Sequence, residues 1–187
     1  MLLKKLDPTL DINRDYWIIG PEDQKAASPD QMAIKMREAC GGETTPTFTR
    51  DTLMKKIIRD FDAYEARFKV VNGRLTLADG DKITVNLETG GFDLNVELND
   101  GITNLPRVII LDEVSDYSTF DLDLIDQFAK KNNIKVIALG DFTQSGIGGQ
   151  IKVDFGDGVL VDNILGALDY EFIRTFKSQL TFRTQNV

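Results

Sequence analysis

Two runs along the chain are apolar at every position and then stop abruptly on acidic and polar residues. "VIIL" at 108–111 leads into Asp112-Glu113, and "VIAL" at 136–139 leads into Gly140-Asp141. Runs without polar alternation suit strands buried on both faces of a parallel sheet. Between them, residues 118–133 space Phe120, Leu124 and Phe128 along one helical face, with Ser118 or Thr119 placed to cap it. Strand, helix and strand in this order predict a crossover unit of parallel type.

The N-terminal half repeats the theme less clearly. Residues 15–20, "DYWIIG", read as a short buried strand ending at Gly20-Pro21. Met32, Met36 and Ala39 then recur at helical spacing, with Ser28-Pro29 as the expected helix start and Gly41-Gly42 as its stop. A second helix is expected within 43–68, capped by Thr49 or Asp51, with Leu53, Ile57, Ile58 and Phe61 as its core-facing stripe. From Lys69 to Leu105 the pattern turns to short alternating runs. Asn72-Gly73, Asp79-Gly80, Gly90-Gly91 and Asp100-Gly101 punctuate them as turn signals, so residues 69–105 are expected to form a β-rich hairpin insertion. Residues 145–163 read as a glycine-rich loop with a small hairpin, and 171–176 as a further strand. The fold class expected is α/β: one unit over 1–187, with a partly parallel sheet flanked by helices and carrying the insertion.

Composition narrows the chemistry. The chain has 187 residues, 42% hydrophobic and 28% charged, which is globular composition. No apolar run reaches the roughly 20 residues of a membrane span, and the first residues are too broken by charge and Pro8 to form a signal peptide. Cys40 is the only cysteine and there is no histidine, so no intrachain disulfide is expected. Nucleophile systems built on an imidazole base are excluded too. A metal would be a hard cation held by carboxylates and water, Mg²⁺ above all. The net charge of −8 argues against binding nucleic acid by charge alone, though not against a local groove.

The strand ends hold the candidate chemistry, because functional groups in open α/β sheets gather at the carboxyl ends of strands. A buried strand ending in Asp-Glu is the Walker B arrangement: the aspartate holds Mg²⁺ and the glutamate handles the attacking water. Asp112 and Glu113 match it, and Asp141 closes the second strand. Gln144, three residues on, is placed to meet a γ-phosphate or a water without carrying charge.

"LDEVS", "ALGDFTQSG" and "LTFRTQN" follow one another in the order of motifs II, III and IV of superfamily 1 DNA helicases, and the chain resembles that family. Upstream, "WIIGPEDQKAASPDQMAIKM" resembles motif Ia, and "TPTFTRDTLMKKI" the threonine-led element after it. The resemblance implies a RecA-like, P-loop NTPase-type fold. It implies that Asp112 binds Mg²⁺, that Glu113 activates water and that Gln144 senses the γ-phosphate. Arg183 would contact that phosphate, with Ser115 and Asp141 as polar groups around ATP. Pro21, Gln24 and Thr47 would lie along single-stranded DNA, and the hairpin insertion would stand where some relatives place a strand-splitting pin. The implied partners are single-stranded DNA and the other domains of a longer helicase, in the cytoplasm or at the nucleoid.

The chain departs from the family in two places. No G-x-x-x-x-G-K-[ST] loop is present to cradle the phosphates; "GDKIT" at 80–84 lacks the earlier glycine and sits among hairpin signals. Glu22-Asp23 also puts negative charge in the motif Ia-like loop. The expectation is therefore an excerpt of a helicase motor, with ATP binding weak or absent in this chain alone. The alternative is a non-catalytic scaffold or binding module derived from such a motor. A third reading is another Mg²⁺-dependent phosphoryl-transfer enzyme using Asp112, Glu113 and Asp141, but it leaves Gln144 and Arg183 without a role.

Overall fold

The computed structural model describes residues 8–20, 34–35, 37–38, 41–71, 74–78, 81, 83–85, 92–114, 117–139, 152–154 and 160–162. In chain order its elements are β1 (Tyr16–Gly20), β2 (Thr47–Thr49), α1 (Arg50–Ile57), α2 (Phe61–Glu65), β3 (Phe68–Val71), β4 (Arg74–Leu77), β5 (Thr84–Val85), β6 (Phe92–Asp93), β7 (Val108–Leu111), α3 (Thr119–Lys131), β8 (Lys135–Ala138), β9 (Lys152–Asp154) and β10 (Leu160–Asp162).

The central sheet has four strands in the order β2-β1-β7-β8, and every pairing is parallel. Both inner strands are buried along their whole length, as their unbroken apolar runs require. Successive side chains serve opposite faces. Trp17, Ile19, Ile109 and Leu111 pack with Leu53, Ile57, Phe120 and Phe128 of the helices. Tyr16, Val108 and Ile110 pack with Leu10 and Ile12 on the other side. The parallel β7–α3–β8 unit expected from the sequence is present, with Leu111 paired to Ala138.

Local chemistry sets the helix ends. The hydroxyl of Thr49 accepts the Thr52 N–H at 3.2 Å and starts α1. Ser118 starts α3 through a capping box with Asp121, and Lys130 and Lys131 fall in its last turn, where the helix dipole favours cations. Residues 34–35 and 37–38 are helical. Their helix ends as expected, with the Gly41 N–H on the Glu38 carbonyl and the Gly42 N–H on the Arg37 carbonyl, both at 2.9 Å. This closing pattern needs a left-handed residue, and Gly41 supplies it at φ +70°.

One expectation needs correction. The second helix expected within 43–68 breaks in two. Ile58 turns extended and bridges Leu98, while the Arg59 N–H reaches the Glu97 carbonyl and the Asn99 N–H reaches that of Ile57. Pairing with 97–99 captures this backbone, and Asp60 caps a fresh helix, α2. The stripe itself is right, since Leu53, Ile57, Ile58 and Phe61 all lie in the core.

β-Structure also lies outside 69–105. A second sheet runs β10-β9-β4-β3, joining the β3–β4 hairpin to the later β9–β10 hairpin through a parallel β4–β9 pairing. The region begins at Phe68, whose ring stacks on Phe120 at 5.0 Å. β5 and β6 form a further antiparallel pair. Phe92 and Leu94 then return to the main core, with Val96, Leu98 and Ile102 packed against it. Among the described residues no helix is long and apolar enough to cross a membrane.

Candidate functional site

The strand order creates one special place. From β1 the chain moves outward to β2; it later re-enters on the other side of β1 as β7 and moves outward again to β8. Connections that leave neighbouring strands in opposite directions open a crevice beyond their carboxyl ends, where ligands of open α/β sheets bind. Ile19 pairs with Leu111, so the next residues, Gly20 and Asp112, stand side by side at that crevice.

Asp112 is held there firmly. Its N–H donates to the Ile19 carbonyl at 2.8 Å, extending the ladder by one residue, and its side chain is largely buried. Its Oδ1 accepts the Glu113 N–H at 3.0 Å. Glu113 is half-buried and has φ +48°, in the left-handed region. A residue with a Cβ pays about 1–2 kcal/mol for this conformation, and such outliers persist only where the surroundings over-determine them. Here the Val114 N–H donates to the Leu139 carbonyl at 2.8 Å and the Leu139 N–H to that of Leu111, also at 2.8 Å. The Tyr117 N–H donates to the Val114 carbonyl at 3.2 Å. Buried Val114 and Tyr117 side chains pin the same loop in the core.

Two buried acids on α3 hold neighbouring elements in place, and the sequence singles out neither. Asp121 is 1% exposed. Its carboxylate accepts Arg50 Nε at 3.2 Å, Arg50 Nη2 at 2.8 Å, the Tyr64 hydroxyl at 2.9 Å and the Ser118 N–H at 3.2 Å. Burial works to lower the Arg50 pKa, but the charge and hydrogen bonds of Asp121 outweigh it and the value rises. Burial, followed by the Asp121 charge, pushes the Tyr64 phenol well up. Asp123 accepts the Phe92 N–H at 3.0 Å and Gln127 Nε2 at 2.9 Å, tying β6 to α3. Its pKa is raised, chiefly by burial, against the pull of those two donors. The signal available for Asp121 was the Ser118-x-x-Asp121 spacing of a capping box; nothing local marked Asp123.

Of the residues singled out from the sequence, Asp112 and Glu113 stand together at the crevice. Thr47 begins the edge strand β2, level with Ile18 and Ile110, so it lies back from the strand ends and one strand beyond β1. Its hydroxyl donates to the Thr45 carbonyl at 3.1 Å. Pro21, Gln24, Ser115, Asp141, Gln144 and Arg183 lie outside the described residues. β8, the strand that leads toward Asp141 and Gln144, lies directly beside β7.

Among the described residues no group of three or more His, Cys, Asp or Glu side chains forms a metal cage. Mg²⁺ needs no such cage, since it is commonly held by one or two carboxylates with water and phosphate oxygens completing its shell. A buried aspartate at a strand end fits that donor pattern. Grooves formed by 92–97 with α3 and by 95–97 with α2 are lined by neither Asp112 nor Glu113. Comparison of the chain with family models, curated proteins and solved structures gives no match.

Proposed function

We propose that this chain forms the metal- and water-handling part of an ATP site in the first motor domain of a superfamily 1-type DNA helicase. The observation that carries the reading is Asp112-Glu113 at the switch between β1 and β7, with Glu113 held in left-handed backbone. β8 beside β7 supports it, because the Gly-Asp-Phe-Thr-Gln run follows that strand.

In this reading Asp112 holds Mg²⁺, and the ion, when bound, neutralises phosphate charge. Glu113 orients the attacking water and takes its proton. Gln144 and Arg183 meet the γ-phosphate, while Ser115 and Asp141 line the nucleotide. Pro21, Gln24 and Thr47 face single-stranded DNA; Thr47 would donate to a phosphate only after its hydroxyl turns from the Thr45 carbonyl. The phosphate cradle and the second motor domain would come from other parts of a longer protein, working in the cytoplasm or at the nucleoid. By itself the chain neither hydrolyses ATP nor unwinds DNA. The scaffold reading is favoured by the net charge of −8 and by the absent phosphate loop.

Turnover separates the two. In a longer protein that supplies the loop, Glu113→Gln is expected to lower kcat for ATP by about 10²–10⁴ while leaving KM little changed. Undiminished turnover in that variant would remove Glu113 from the chemistry and leave the scaffold reading standing.

A further inference from the structure

A strained residue on a short loop needs anchors at both ends, and the near end is clear. Asp112 is stitched to Ile19, and Val114 to Leu139. The far end is Ser118, the cap of α3, whose N–H donates to Asp121. Beside the Tyr117 contacts, the position of that end therefore depends on where Asp121 is held.

Asp121 is fixed from elsewhere in the chain. Arg50 grips it with two nitrogens, and the Tyr64 hydroxyl adds a third bond. Arg50 is the first residue of α1, directly after β2, and it keeps a second partner in Asp51 at 2.7 Å. A forked guanidinium on a carboxylate fixes direction as well as distance, which an ammonium does not. The pair joins the chain leaving β2 to the chain leaving β7, although those two strands are not neighbours in the sheet.

We infer that Arg50 is a positioning residue for the Asp112-Glu113 loop. Through Asp121 it sets the far end of that loop from the start of α1. A shift of β2 and α1, such as one caused by a ligand at Thr47, would then reach Glu113 with no contact between Thr47 and Glu113. The inference deepens the ATP-site reading and depends on it only for what the loop does; the anchoring can be measured without nucleotide. Failure of one is thus distinguishable from failure of the other.

The test is amide hydrogen exchange on the whole chain, comparing wild type with Arg50→Lys and Tyr64→Phe. Lysine keeps the charge but loses the fork. Exchange at Glu113 and Val114 is expected to rise about tenfold in Arg50→Lys, while Ile110 and Ile137, inside the sheet, stay within about twofold. Tyr64→Phe leaves the ion pair intact and should give a smaller rise at the same two amides. Unchanged exchange at Glu113 and Val114 would overturn the assignment. So would an equal rise at all four amides, which would mean that the pair only stabilises the fold as a whole. Should Arg50→Lys not fold, Tyr64→Phe decides by the same comparison.

Discussion

Asp121 and Asp123 sit two residues apart on α3, both buried, and their surroundings differ. Asp121 meets a guanidinium, a phenol and a backbone N–H; Asp123 meets two neutral donors and, among the described residues, no bonded cation. Its raised pKa has a definite consequence. The folded state binds the Asp123 proton more readily than the unfolded chain does, so this group lowers stability as pH rises through the folded value. The nearby Asp126 charge adds to the rise, and Lys130 opposes it. Asparagine can accept from both Phe92 and Gln127 without carrying charge. Asp123→Asn should therefore gain on wild type as the pH goes from about 3.5 to about 7, read from denaturant unfolding at the two values. A gain that shrinks with rising pH would contradict the assignment. At this scale, Asp112 and Glu113 were legible because an apolar run ended on them. The two helix acids were not, because an acid on an amphipathic helix looks the same in sequence whether it meets water or a buried donor.

Element ends were legible wherever the signal was local. Thr49, Ser118 and Gly41-Gly42 each act where their chemistry places them. Gly41 allows a clean measurement. A Cβ there would touch nothing within 4 Å, so the cost of Gly41→Ala comes only from its φ of +70°. Destabilisation of about 1 kcal/mol is expected, seen as a lower denaturant midpoint at unchanged slope. A null effect would mean that the left-handed close is not needed. Long-range pairing was invisible by contrast. Ile58 looks like the next residue of a helix until Leu98 pairs with it. β9 and β10 read as a small separate hairpin, and only the fold brings β9 alongside β4.

Over the whole molecule, the apolar runs foretold a parallel sheet but not its order. Which strands are neighbours depends on where crossovers lie, and hydrophobic periodicity carries no such information. The observed order puts β7 between β1 and β8 and makes the strand end at Asp112 the switch point. That placement puts a common short motif where open α/β sheets bind their ligands. If the site belongs to an ATP-driven motor, nucleotide binding should need both the strand-end aspartate and a phosphate loop. The direct measurement is titration of a fluorescent ATP analogue with Mg²⁺. It would compare this chain, a longer form extended through the preceding hundred or so residues, and that form carrying Asp112→Ala. Binding by the longer form alone, lost in Asp112→Ala, is the expected result. No binding by either form, or binding indifferent to Asp112, would contradict the ATP site and leave Asp112-Glu113 without that role.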